Sequence, residues 1–134
     1  MRRSQCHAQL SAAILIAALS CLASPSFADH RIPSIAIVID DMGDRLQSGL
    51  RVTQLTGPVT CSILPGTPYS QQLAEAANKQ GKQVMLHLPM EATHDHPLGP
   101  GGVTLHMTRK EFKQAVEAGI AAVPYVRGIN NHMG

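Results

Sequence analysis

The sequence predicts an α/β protein built on a parallel sheet, and three observations predict it. Apolar runs of strand length alternate with stretches of helical periodicity. Each run is closed by glycine, proline or a cluster of polar residues. The intervals between runs are long enough for the crossover helices that parallel neighbours require. Four strands are visible, and right-handed crossovers place them in one sheet.

The elements follow in order. Ile35-Ala36-Ile37-Val38-Ile39 is an unbroken apolar run rich in β-branched side chains, and it reads as a strand buried on both faces. It ends in Asp40-Asp41-Met42-Gly43. Asp44 is placed to cap a helix to about Leu55, with Leu46, Leu50 and Leu55 on one side and Gly57-Pro58 as the stop. Residues 59 to 64 form the second strand, closed by Pro65-Gly66. Thr67-Pro68 opens a second helix through about Gln80, with an apolar stripe of Leu73, Ala76 and Ala77 and a stop at Gly81. Residues 83 to 88 form the third strand, and a Pro/Gly-rich loop runs from Pro89 to Met107. Thr108 and Glu111 have the spacing of a capping box and start a helix to about Val123. Residues 126 to 130 form the fourth strand. No helix follows to cover it, so the pattern reads as the first half of a larger β/α domain.

The N-terminus has a different character. Arg2 and Arg3 precede an apolar run from Leu10 to Leu22, followed by the small-x-small pattern Ser26-Phe27-Ala28. This predicts a cleaved secretory signal over residues 1–28, a domain over 29–134, and a secreted, periplasmic protein. The run is short for a membrane span, so no stable span is expected after cleavage. Ala18-Leu19-Ser20-Cys21 is a poor match to a lipoprotein signal.

The chain has 11 basic and 9 acidic residues, and loss of Arg2 and Arg3 would balance them. A net charge near zero gives no support for nucleic-acid binding or for a membrane-seeking surface. Cys6 and Cys21 fall in the signal, which leaves Cys61 without an internal disulfide partner. Its place in an apolar run reads as a buried structural thiol.

Three strand ends carry polar residues: Asp40-Asp41, then His87-Leu88-Pro89-Met90-Glu91, then Asn130-Asn131-His132. In a parallel sheet all strand ends point the same way, so these groups share one rim, where α/β folds place their chemistry. Carboxylate with imidazole is a ligand set for zinc and related divalent metals. A carboxylate left unliganded there could act as a general base. Each piece also has a plainer reading. One aspartate could cap a helix, and a lone histidine after a strand is more often a hydrogen-bonded structural residue. His94 and His96 lie in the Pro/Gly-rich loop, where substrate contact or solvation is expected before ligation.

Together these pieces resemble the divergent polysaccharide deacetylase family. The matching segments are Ile37 to Gly43, Ile63-Leu64-Pro65, His87 to Glu91, Leu98-Gly99-Pro100-Gly101-Gly102 and Asn130 to Gly134, in the family's order. The resemblance implies a distorted β/α barrel of the glycoside hydrolase/deacetylase type, with its second half lying beyond this sequence. In the wider deacetylase group the first Asp of the pair is the general base and the second a metal ligand. By position these are Asp40 and Asp41. His87 matches the first of two histidines at a four-residue spacing, and Glu91 stands where the second would be. His132 belongs to the divergent family's own motif. The ligand set implied is therefore Asp41, His87 and Glu91 with His132, holding a divalent ion, most simply Zn2+. The wider group also uses a catalytic histidine from a late strand, which this sequence does not contain.

Two readings of different classes follow. One is a metal-dependent hydrolase that removes acetyl groups from an envelope or extracellular polysaccharide. The other is a non-catalytic envelope protein that keeps a carbohydrate- or metal-binding rim, or an inactive fragment. After residue 28 the aromatic residues are Tyr69, Phe112 and Tyr125, few for a site that stacks sugar rings.

Overall fold

The structure, a computed structural model, describes residues 33–94 and 96–134. The expected export signal lies outside the described residues, as do Cys6, Cys21 and His30. The described elements are β1 (Ile37–Met42), α1 (Leu46–Thr53), β2 (Val59–Ile63), α2 (Ser70–Lys79), β3 (Gln83–Pro89), α3 (Arg109–Ala122) and β4 (Val126–His132). The strands form one open parallel sheet in the order β1-β2-β3-β4. This is the predicted α/β class.

Side chains alternate across a strand, so register assigns the two faces. Cys61 and Ile63 pair with Val84 and Leu86, and with Leu88 they share the face that forms the core. The helices cover that face. In α2, Ser70, Leu73, Ala74 and Ala77 are buried, the i, i+3, i+4, i+7 pattern of an amphipathic helix. The Ser70 hydroxyl donates to the Leu64 carbonyl at 2.6 Å and ties the start of α2 to the end of β2. Gly49 lets α1 approach α2 closely, since a Cβ there would lie 2.5 Å from Leu73. Gly119 does the same for α3 above Leu86 and Leu88.

Several expectations are corrected. β1 is not buried on both faces: Ile37 is 51 % and Val38 38 % exposed, and Ile35 lies before the strand. The cause is position, because β1 is an edge strand and its apolar composition reports strand propensity rather than depth. The strand also runs on through Asp40 and Asp41 to Met42. Asp44 does not cap α1; Arg45 holds that position without a side-chain cap bond. Helix α2 starts at Ser70, after a turn at Thr67-Pro68, and this brings Ala74 rather than Ala76 into the core. The capping box at Thr108 and Glu111 is formed in both directions.

The opposite face carries Ser62, Met85, His87, Asn130 and His132. In a flat sheet, β1 and β4 would stand roughly 14 Å apart, three strand spacings. Here Asp40 reaches Asn130 at 2.8 Å and Asp41 reaches His132 at 2.9 Å. The sheet is therefore curled about its polar face, and its two edge strands meet there through side chains.

Candidate metal centre

The centre begins with a backbone irregularity. Ile39 pairs with Cys61 and Met42 with Ile63, so Asp40 and Asp41 together stand opposite Ser62 alone. Two residues facing one is a β-bulge, and it cancels the alternation that would send the two carboxylates to opposite faces. Asp41 takes φ of 57°, in the left-handed region that non-glycine residues seldom adopt. Gly43 follows with φ of 145°, and a Cβ there would collide with the Thr67 hydroxyl. The sheet bonding resumes at once, with the Leu64 N–H donating to the Met42 carbonyl at 2.8 Å.

The bulge places the Asp41 carboxylate between two imidazoles. Asp41 Oδ1 lies 3.1 Å from His87 Nε2 and 2.9 Å from His132 Nδ1, and the two ring nitrogens lie 3.2 Å apart. Among the described residues these three form a cluster able to hold a metal ion. Their chemistry fits such an ion. A divalent metal bound at about 2.0–2.2 Å keeps neighbouring ligand atoms roughly 3–3.4 Å apart, close to the triangle observed. Three such atoms at this spacing repel unless a proton or a cation lies among them. The His87 side chain is only 4 % exposed, whereas those of Asp41 and His132 are 67 % and 26 % exposed, so the cluster is anchored at the sheet and open at its rim.

Asp40 stands beside the triangle. Its Oδ1 accepts from the Asn130 amide at 2.8 Å and lies 3.8 Å from His87 Nδ1. Asn130 Oδ1 in turn lies 3.1 Å from His87 Nδ1 and accepts from the Ser62 hydroxyl at 2.6 Å. Sequence reasoning placed Asn130 on the rim without giving it a role, and it missed Ser62. The available signal was a fully buried hydroxyl's position inside the apolar run of β2, a polar group that must find a partner.

Glu91 is not brought to the cluster. Its carboxylate accepts from the Leu105 N–H at 2.7 Å, and it lines a surface pocket with His94, His96 and Thr104. The four-residue spacing from His87 misleads because β3 ends at Pro89. The loop is then held by a bridge between Met90 and Val103, which turns Glu91 away. His132 enters the triangle from the end of β4, which runs two residues further than expected. A cleft of about 370 Å³ adjoins His132, lined by Asp44, Pro65, Pro68, Pro89 and Pro100 among others. Cys61 is fully buried on the core face; burial pushes its thiol up, partly offset by the Lys82 ammonium.

Comparison with known proteins gives a consistent result. A family model for divergent polysaccharide deacetylases matches residues 37–134. The uncharacterized protein YibQ of Escherichia coli K12 is 34% identical over 121 residues, covering 90% of this chain and 37% of that protein. An uncharacterized protein of Haemophilus influenzae Rd is 30% identical over 109 residues, covering 81% of this chain and 38% of its own length. The chain thus spans well under half the length of these relatives. The crystal structure of an uncharacterized protein from Agrobacterium tumefaciens C58 superposes with a TM-score of 0.66 at 20% identity, covering 74% of this chain and 42% of that one. It supports the fold.

Proposed function

The chain belongs to the divergent polysaccharide deacetylase family, and from that premise we propose that it supplies the metal-binding rim of an exported, metal-dependent carbohydrate deacetylase. The observation that carries this reading is the triangle of Asp41, His87 and His132 with a second carboxylate, Asp40, beside it. The three triangle residues would hold the ion; one carboxylate and two imidazoles suit Zn2+, the first ion to test, and also suit Fe2+. When bound, the ion supplies a Lewis acid toward an acetyl carbonyl. Asp40 is the general base: its Oδ1 is held by Asn130, and its side chain stays 45 % exposed, accessible to a water that attacks the acyl carbon. The cleft beside His132 would seat the glycan. Five prolines line it, and its lining residues include no Tyr, Phe or Trp.

Export rests on the basic, apolar and small-x-small pattern of residues 1–28. Among the described residues no helix is long and apolar enough to cross a membrane. The curl of the sheet and the greater length of the relatives support reading it as one arc of a closed β/α barrel. The test is metal analysis of the purified chain, together with acetate release from acetylated glycans by that chain and by a protein extended to the length of its relatives. About one divalent ion per chain is expected. Asp40→Asn should keep that ion and lose at least about 100-fold in acetate release. A protein that binds the ion but releases no acetate across a broad glycan panel would instead be a binding protein of the envelope.

A further inference from the structure

We propose that Asn130 is a positioning residue that fixes the tautomer of His87 and ties it to Asp40, so that one amide orients both a metal ligand and the base. The inference rests on the reading of His87 and Asp40 given above. It starts from what each neighbour of the amide can do. The Asp40 carboxylate only accepts hydrogen bonds, so the Asn130 amide must turn its NH2 toward it, at 2.8 Å. That orientation aims Asn130 Oδ1 at the Ser62 hydroxyl, 2.6 Å away, and at His87 Nδ1, 3.1 Å away. A carbonyl oxygen only accepts, so both of these neighbours must donate. His87 therefore carries its hydrogen on Nδ1, and its Nε2 presents a lone pair to Asp41 and His132. This is the tautomer a metal requires of that nitrogen, and hydrogen bonds from the far ring nitrogen are the usual means of imposing it.

The same logic explains Ser62. A fully buried hydroxyl on the polar face has the Asn130 carbonyl as its acceptor, while the flipped amide is ruled out by Asp40, toward which it would turn a second acceptor. The bonds radiate from Asn130 on β4 to Asp40 on β1, Ser62 on β2 and His87 on β3, so all four strands meet at one amide. This meeting therefore depends on the curl of the sheet. In the proposed tautomer Nε2 faces the Asp41 carboxylate at 3.1 Å but can accept from His132 Nδ1 at 3.2 Å. In the alternative, with the hydrogen on Nε2, His87 would donate to Asp41 and leave Nδ1 facing the Asn130 carbonyl, two acceptors 3.1 Å apart.

Two measurements on the full chain separate this inference from the reading it rests on. The first is 15N NMR of the His87 ring in metal-free protein at about pH 8, above the usual imidazole range. It should show the hydrogen on Nδ1 in the wild type and a shift of population toward Nε2–H in Asn130→Ala. The second is titration with Zn2+ alone. Affinity should fall about 10- to 100-fold in Asn130→Ala, and by less in Ser62→Ala, which keeps the amide. A wild-type His87 with its hydrogen on Nε2 overturns the inference, even if Asn130→Ala does not fold. So does an Asn130→Ala variant that keeps both the wild-type tautomer and the wild-type Zn2+ affinity. A wild type that shows the Nδ1 tautomer but binds no Zn2+ supports the positioning role and overturns the metal reading instead.

Discussion

The two faces of the sheet are one residue apart along every strand and behave as different materials. On one face Cys61, Ile63, Leu86 and Leu88 are sealed under the helices. On the other, Ser62 and His87, both buried, are joined by hydrogen bonds to the half-buried Asn130. The first face is held by area and volume, which tolerate no gap but demand little orientation. The second is held by donors and acceptors, each of which must point at a partner. The contrast implies that neighbouring substitutions should fail in different ways.

Leu86 and His87 make the largest test of that contrast. Leu86→Ala opens a cavity under Gly119 and should cost about 2–5 kcal/mol of stability. The protein should still gain from Zn2+, by about 2.7 kcal/mol at a concentration near 100 times Kd. His87→Ala should cost less, about 1–2 kcal/mol, and lose that gain. Urea unfolding of each variant with and without Zn2+ measures both quantities. If the two variants lost the Zn2+ gain equally, the faces would not be separable.

The core face was legible in the sequence and much of the rim was not, for a physical reason. Strands and helices announce themselves through periodicity, so Leu73, Ala77 and the capping box at Thr108 could be read directly. Asp40, Asp41, His87 and His132 were visible as polar residues ending apolar runs. The shared rim and the family resemblance brought them together, but the bulge and the curl that close the triangle were not legible, because no period encodes them. The family resemblance put Glu91 in the ligand set, four residues after His87, and the Met90–Val103 bridge turns it away from the triangle. Glu91→Ala should accordingly leave Zn2+ affinity within about twofold of wild type, since loss of a ligand that does not touch the ion has no direct term. A tenfold loss would return Glu91 to the site.

The bulge itself can be tested by a change of sign. At φ of 57° an alanine is strained and a glycine is not. Asp41→Ala should therefore be less stable than Asp41→Gly by about 1 kcal/mol, although both remove the carboxylate. In a regular strand the order reverses, because glycine in a strand interior is the destabilising choice by roughly 0.5–1 kcal/mol. Thermal melting of the two metal-free variants distinguishes the cases without reference to activity. Equal stabilities, or a more stable alanine, would mean that Asp40 and Asp41 do not share a bulge and that the triangle forms in some other way.

The smallest expected effect lies outside the triangle, at the start of α3. Glu111 Oε2 accepts from the Thr108 hydroxyl at 2.7 Å and from the Thr108 N–H at 2.8 Å, and these bonds hold its carboxyl below the usual 4.5. A carboxylate lowered in the folded state contributes stability that is fully present above its unfolded value. That contribution is lost as pH falls through the folded value, where both states bind the proton. The wild type should therefore be more stable than Glu111→Gln at neutral pH, and the difference should shrink as pH falls below 4.5. The helix sits on the core side, so Zn2+ affinity should be the same in both proteins at neutral pH. Denaturant midpoints at neutral and acidic pH measure the difference. A gap that widened on acidification would show that the charge of Glu111 is unfavourable in the folded state, and that the capping box holds α3 by shape rather than by charge.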